Sequence, residues 1–241
     1  MHDQRQWYEV AFESGYLDVY PHRDLFAARA EVAGLVERGV GGRVLDLGCG
    51  FGRHLLALRE RGLDAFGLDL SHELLRRTDP GLRGRVLRGD FRALPFRSGA
   101  FQCVLMLFSS FGYFEDDENA LVLAEVRRVL ASGGLVVLDL MNPVRLRATL
   151  VPESRTPRAG FELLERRRLE RGGRRVVKEV VVRAQDGSER RWHEDVRLYE
   201  PYELAGLLPS AGLALARLEG DFDGRAFEPA SPRQIVWARR V

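Results

Sequence analysis

Residues 44–54 read VLDLGCGFGRH. An apolar run with a single acid, Asp46, leads straight into glycines at 48, 50 and 52 and then into an amphipathic stretch. The apolar run predicts a strand covered on both faces. The alternate glycines predict a turn with no room for a Cβ, opening directly into a helix. A strand, loop and helix in that order aim backbone N–H groups and the positive helix end at the carboxyl edge of a sheet. A ligand with a polar tail can lie there against bare main chain.

The same rhythm runs on downstream. RVLDL, LDAFGLDL, GRVLRGD, FQCVLMLF and LVVLDLM read as strands, separated by the helical stretches RHLLALRERG, SHELLRRT and DENALVLAEVRRVL. Ser71 is placed to cap the second of these, and Ser132-Gly133-Gly134 to stop the third. Strands alternating with helices predict an α/β fold with a doubly wound, Rossmann-like parallel sheet. After Pro143 the rhythm breaks. Two runs of valine and charge flank AQDGS, whose Asp186-Gly187 predicts a hairpin, while FELLERRRLER fits helix or strand. We read one domain over residues 1–241. It has an aromatic helical cap at 1–40, a core at 41–143 and 200–241, and a β-rich insertion at 144–199 serving as a lid or a dimer contact.

Composition narrows the partners. The formal charge is only +2, so neither nucleic acid nor a membrane surface is demanded. Arginine supplies nearly all of the positive charge, Lys178 being the single lysine. Two cysteines, Cys49 and Cys103, make no disulfide framework and suit a reducing compartment. The start, MHDQRQWYEV, has no signal pattern, and no apolar run reaches the ~20 residues of a membrane span. A cytoplasmic protein, monomer or homodimer, is expected.

Acids end three successive strands: Asp46, Asp69 in GLDLS, and Asp90 in RGDFRALPF, which is followed by Phe91. At one sheet edge, such a row suits an adenosyl ligand, with one acid on the ribose and an acid and ring bracketing the adenine. A dinucleotide binder would carry a third glycine where Arg53 stands. The spacing here is acid-x-G-x-G-x-G.

That spacing resembles the first motif of the class I S-adenosylmethionine-dependent methyltransferases. The resemblance continues through GLDLS, GDFRALPF, FQCVLMLFSSFGYFED and VRRVLASGGLVVLDLMNP, covering roughly residues 44–143. It implies S-adenosyl-L-methionine as donor, S-adenosyl-L-homocysteine as product, and a seven-stranded sheet whose last strand is antiparallel. It also implies roles: Asp46, Gly48, Cys49 and Gly50 around the methionine portion, Asp69 on the ribose, and Asp90 on the adenine amino group. Leu70 and Phe91 would lie against the ring, and Met106, Leu107 and Phe108 near the sulfonium. In small-molecule members an N-terminal helix closes over the donor, and Tyr20 and Arg23 are the candidates to reach its carboxylate. Gln102 stands where the family often has Asp, a position that usually serves structure. The carboxyl-terminal DFDGRAFEPASPRQIVWARR resembles one bacterial, methyltransferase-domain-25/11-like branch of small-molecule enzymes.

For the methyl acceptor, the loop FSSFGYFED offers Phe108, Ser109, Ser110 and Tyr113. In RRWHEDVRLY, alternation puts His193, Arg197 and Tyr199 on one strand face, and Arg233 stands just before the last strand. In-line methyl transfer demands alignment and exclusion of water rather than a fixed base. His193 and Tyr113 are therefore only candidate catalytic residues, and no metal site is expected. The Asn- or Asp-Pro-Pro-aromatic signature of base-modifying relatives is missing from that loop. We expect transfer to an O, N or C atom of a small metabolite. The alternatives are an RNA or protein methyltransferase, and a protein that binds S-adenosylmethionine without chemistry.

Overall fold

Side-chain parity along the strands sets the architecture seen in the computed structural model, which describes residues 5–13, 16–20 and 24–241. The strands β1 (Arg43–Leu47), β2 (Asp64–Asp69), β3 (Val86–Arg88), β4 (Phe101–Met106) and β5 (Leu130–Met141) form the parallel part of the main sheet. Between and around them run α1 (Trp7–Ala11), α2 (Tyr16–Val19), α3 (Leu25–Glu37), α4 (Arg53–Glu60), α5 (His72–Leu75) and α6 (Asp116–Val129). Leu45, Leu47, Val104, Met106, Val136 and Leu138 pack with Val122 and Val126 of α6 on one face. Their sequence neighbours Val44, Cys103, Leu105 and Val137 pack with Val32, Leu35, Leu55 and Leu58 of α3 and α4 on the other. A strand buried on both sides must be apolar at both parities, which is why these runs do not alternate.

The chain then passes through α7 (Pro143–Thr149) into a second sheet, β6 (Glu153–Arg158), β7 (Phe161–Glu170), β8 (Arg175–Ala184) and β9 (Glu189–Arg197). It returns through α8 (Pro201–Ser210), β10 (Leu213–Glu219) and β11 (Arg233–Arg240). The main sheet has seven strands in the order β3-β2-β1-β4-β5-β11-β10, and β11 runs antiparallel to both of its neighbours. The order reverses between β1 and β4. Loops leaving those two strands diverge and open a crevice at the carboxyl edge.

Two local expectations are corrected, and one left open is resolved. The glycines at 133–134 do not separate helix from strand: α6 ends at Val129 and β5 begins at Leu130, which pairs with Phe101. Gly133, at φ 71°, instead lies in a bulge where the register with β4 shifts. β3 stops at Arg88, so Asp90 lies in the loop beyond it. FELLERRRLER is a strand, β7, because it pairs along its whole length with β8.

The second sheet is an antiparallel meander, β6-β7-β8-β9. Gly187, at φ 83°, turns the β8–β9 hairpin. The N-terminal helices pack onto this sheet. Trp7 and Ala11 meet Val176 and Val196, and Tyr16, Val19 and Tyr20 meet Leu163, Val180 and Val182. Arg175, 4% exposed in its side chain, ties the sheet to the core. It donates to Asp195 on β9 at 2.6 Å and to the Phe114 carbonyl of the β4–α6 loop at 3.0 Å. Among the described residues, no helix is long and apolar enough to cross a membrane.

Candidate functional site

The crevice is a cleft at the carboxyl edge of β1, β2 and β4. Its floor is the glycine loop. Gly48, Gly50 and Gly52 all take positive φ, at 82°, 55° and 85°, which a side chain would strain. Space matters as well: a Cβ on Gly48 would lie 2.9 Å from that of Ser110. The loop is pinned to β2, because Gly48 and Cys49 both donate to the Leu68 carbonyl, at 2.8 and 3.2 Å. Cys49 lines the cleft, and burial pushes its thiol well above the usual range.

Three carboxylates stand along this edge in different states. Asp46 is 1% exposed, and its Oδ2 is buried without a hydrogen bond. Burial pushes its pKa up to about 7, the nearby Arg53 opposing the rise and Asp69 adding to it. Asp69 accepts from the amides of Gly50 and Ser71, both at 2.8 Å. Burial still holds its pKa above the ordinary carboxylate value. Asp90 is more open. Against the upward push of its partial burial, hydrogen bonds from Arg92 hold it low, the Nη2–Oδ2 distance being 2.7 Å. Asp69, Asp90, Leu70 and Phe91 all line the cleft.

Past β4 the chain turns through Phe108 and Ser109, at φ 54° and 60°. Two consecutive non-glycine residues there carry a cost of order 1–3 kcal/mol each. What holds them is Asp139, fully buried on β5. Its Oδ2 accepts from the Phe108 amide at 2.7 Å, and its carbonyl accepts from Ser109 at 2.8 Å. Arg233 closes the set, donating through Nε to Asp139 at 2.6 Å. The turn thereby aims Leu107, Phe108 and Ser110 at the cleft.

Aromatic side chains form the roof. Tyr8, Phe12 and Tyr16, from the N-terminal helices and the residue just after α1, face Tyr113 and Phe114 of the β4–α6 loop. Tyr113 packs on Trp7 and Phe12 with ring centroids 4.8 and 5.7 Å away, and Tyr8 meets Phe114 at 5.1 Å. Ser71, which caps α5, also donates to the Phe12 carbonyl at 2.6 Å, locking roof to floor.

Several candidate side chains lie elsewhere. Met106 is in the core. Tyr20 faces the second sheet, donating to Glu194 at 2.7 Å beside Lys178. Arg197 bridges Asp116 and Glu203, at 3.0 and 2.6 Å, and Tyr199 stacks on Phe111 at 5.2 Å. His193 is exposed on β9 opposite Glu179. Arg233 serves the Asp139 turn from behind, and Ser109 points toward it, 3.4 Å from Nη2. Arg23 lies outside the described residues. Gln102 has the structural task expected of that position, accepting from the Arg43 amide at 2.8 Å.

The cleft also contains residues that sequence reasoning passed over: Tyr8, Phe12, Tyr16, Arg53, His54 and Leu74. The signal for Arg53 and His54 was present, since the first residues after a glycine loop open the helix that faces a ligand. Arg53 Nη1 and His54 Nε2 converge on one oxygen of Glu31 in α3, at 3.1 and 2.7 Å.

Residues 44–134 match the family model described as a methyltransferase domain. Over 109 residues, 42% of this chain, the sequence is 43% identical to the demethylmenaquinone methyltransferase of Thermus thermophilus, of which the match spans about half, 48%. A longer match, 29% identical over 89% of this chain and 96% of the relative, is to the dTDP-3-amino-3,4,6-trideoxy-alpha-D-glucopyranose N,N-dimethyltransferase of Streptomyces venezuelae. Among solved structures, the CcbJ methyltransferase from Streptomyces caelestis superposes with a TM-score of 0.77 at 22% identity, over 89% of this chain and 95% of that one. With the seven-stranded order, the glycine loop and the edge carboxylates already in place, these likenesses agree on one assignment. Over residues 44–134 by the family model, and over most of its length by the amino-sugar relative, the chain resembles the class I S-adenosylmethionine-dependent methyltransferases.

Proposed function

We propose that the protein transfers the methyl group of S-adenosylmethionine to an amine nitrogen of a small metabolite. The observation that carries the reading is the aromatic roof over a glycine-loop cleft. Its rings exclude water and present π faces to a centre that gains positive charge as nitrogen is alkylated. The full-length relative that dimethylates an amino sugar supports nitrogen over oxygen or carbon. On the surface, basic side chains are paired with acids, as in Arg166–Glu153, Arg168–Glu170 and Arg191–Glu189. That favours a small acceptor over RNA.

The residues present fit the donor. Gly50 leaves a cradle, because the nearest atom to an added Cβ is Leu74 Cδ1 at 3.6 Å. The unbonded Oδ2 of Asp46 puts negative charge beneath the loop, where the ammonium of a methionine tail belongs. Asp69 keeps acceptor capacity beyond its two amide bonds and is placed for ribose hydroxyls. Asp90 and Phe91 are placed for the adenine. When bound, S-adenosylmethionine supplies a methyl group on a sulfonium, which needs no further activation.

The protein's part is then alignment. Leu107 and Phe108, set by the Asp139 turn, and Tyr113 in the roof bound the space in which an acceptor nitrogen would sit. A neutral amine attacks through its lone pair and loses its proton afterwards, so no base is required for bond formation. The helices α1 and α2 act as the lid, and the second sheet is its backing.

Titration calorimetry with S-adenosylmethionine and S-adenosylhomocysteine, followed by radiolabelled methyl transfer to a panel of small amines and matched alcohols, tests this. Binding with transfer only to amines is expected. Failure to bind either nucleoside, or transfer to alcohols alone, would overturn it.

A further inference from the structure

A charged side chain outside the cleft holds one of its walls. β11 runs against β5, so its first residue, Arg233, pairs with the last residue of β5, Met141, at the sheet edge where the cleft opens. Arg233 does not line that cleft. Its side chain is 23% exposed and donates from Nε to the fully buried Asp139 at 2.6 Å. Its Nη2 lies 3.4 Å from the Ser109 hydroxyl, and its guanidinium carbon 5.3 Å from the centroid of the Phe108 ring. Burial pushes the Asp139 carboxyl up, and Arg233 is the chief group opposing that rise.

Two consecutive residues with side chains do not keep positive φ without support from their surroundings. Asp139 gives that support to Phe108 and Ser109. A buried carboxylate holds such a post only while a cation compensates it, and Arg233 is that cation. From the turn, contacts lead on to the glycine loop. Ser110 donates to the carbonyl of Leu47, the end of β1, at 3.1 Å, and its Cβ stands 2.9 Å from where a Cβ on Gly48 would lie. One line of contacts therefore runs from the last strand to the cleft floor. The strand order gives it a direction: Asp69 on β2 and Asp90 beyond β3 lie on the far side of β1 from this turn.

On the reading that this cleft takes S-adenosylmethionine, we propose that Arg233 is a positioning residue for the donor, acting through Asp139 to fix the wall of Leu107 and Phe108 against the glycine loop. A nucleoside held at the carboxylates of β2 and of the loop after β3 does not meet that wall. A ligand whose amino-acid arm runs on from the ribose past the glycine loop does. The acceptor contact expected of Arg233 gives way to a task performed from behind the wall.

The test compares S-adenosylhomocysteine with adenosine, by calorimetry on the full chain. Arg233→Met should weaken S-adenosylhomocysteine about tenfold, the scale of strain at one such residue, and leave adenosine within about twofold. Adding Ser109→Gly to that variant should bring S-adenosylhomocysteine back to within about threefold of wild type, because glycine keeps positive φ without help. Arg233→Lys keeps the charge without the fork. It should lose about threefold, regained with Ser109→Gly, and it decides the matter should the methionine variant fail to fold. Equal losses for both ligands, an unchanged affinity for S-adenosylhomocysteine, or no recovery with the glycine would overturn the assignment. A wild-type protein that binds neither ligand would instead sink the donor reading itself.

Discussion

The two sheets handle charge in opposite ways. In the four-stranded sheet almost every charge has a close partner: Arg167 with Glu165 at 2.6 Å, Lys178 with Glu194 at 2.8 Å, Arg175 with Asp195 at 2.6 Å. At the carboxyl edge of the seven-stranded sheet, charges stay incompletely matched. Asp46 has an unbonded oxygen, and Asp69 is held by backbone amides rather than by a cation. Neither arrangement follows from composition, since both regions mix acids and bases freely. Unsatisfied buried charge costs stability, so a fold retains it where a ligand supplies the missing partner.

Variants in the two regions should therefore behave differently. The largest loss is expected at Arg175→Met. Removing one partner of a buried, multiply bonded pair costs about 3–5 kcal/mol, and at ~2–4 °C per kcal/mol for a chain of this size the melting temperature should fall by roughly 6–20 °C. Because Arg175 also holds the Phe114 carbonyl, the roof should loosen, and calorimetry should show weaker S-adenosylhomocysteine binding. An unchanged melting temperature would mean that the second sheet is not anchored through this residue.

Asp46→Asn should act in the opposite direction. Its folded-state pKa, near 7, lies above the ordinary value of 3.8. The folded protein therefore holds a proton that the unfolded chain releases, and stability falls as pH rises from about 4 to 7. The penalty is absent below that window and complete above it. Asn removes an ionisation cost of about 1–4 kcal/mol, so the variant should melt higher than wild type at pH 8, with the gap closing toward pH 5. It should also bind S-adenosylmethionine more weakly. A gap that does not change with pH would break the argument that this carboxylate is under-compensated.

The smallest effect belongs to Arg166→Ala. Arg166 has two acidic neighbours, Glu153 and Glu179, yet its side chain is half exposed at 49%, and solvent screens such pairs. A change within about 0.5 kcal/mol by thermal melting is expected. A loss as large as that at Arg175 would erase the contrast between screened and buried pairs in the same sheet.

Much of the main sheet was legible because its signals are local. The run VLDL, the glycines after it and the acids ending successive strands each depend on near neighbours in the chain. The strand beginning at Leu130 was not, because its pairing with Phe101 comes from nearly thirty residues upstream and overrides the glycines at 133–134. The candidate site divides in the same way. Asp69 and the glycine loop follow from position at a strand end, and Asp90 and Phe91 lie in the loop just past one. Tyr20 was expected from the resemblance, Arg197 and Tyr199 from strand alternation, and each is held by a partner distant in sequence: Glu194, Asp116 and Phe111.

From residues alone came the parallel α/β sheet, the floor of the cleft and the row of acids along its edge, since each rests on backbone conformation or on side-chain parity over a few positions. Tertiary structure alone decided which aromatic rings form the roof, that the second sheet backs the N-terminal helices, and that Arg53 and His54 converge on Glu31. Those outcomes depend on which distant groups meet and which charges they leave unmatched. Such meetings are settled by packing across the whole chain, and no short stretch of sequence records them.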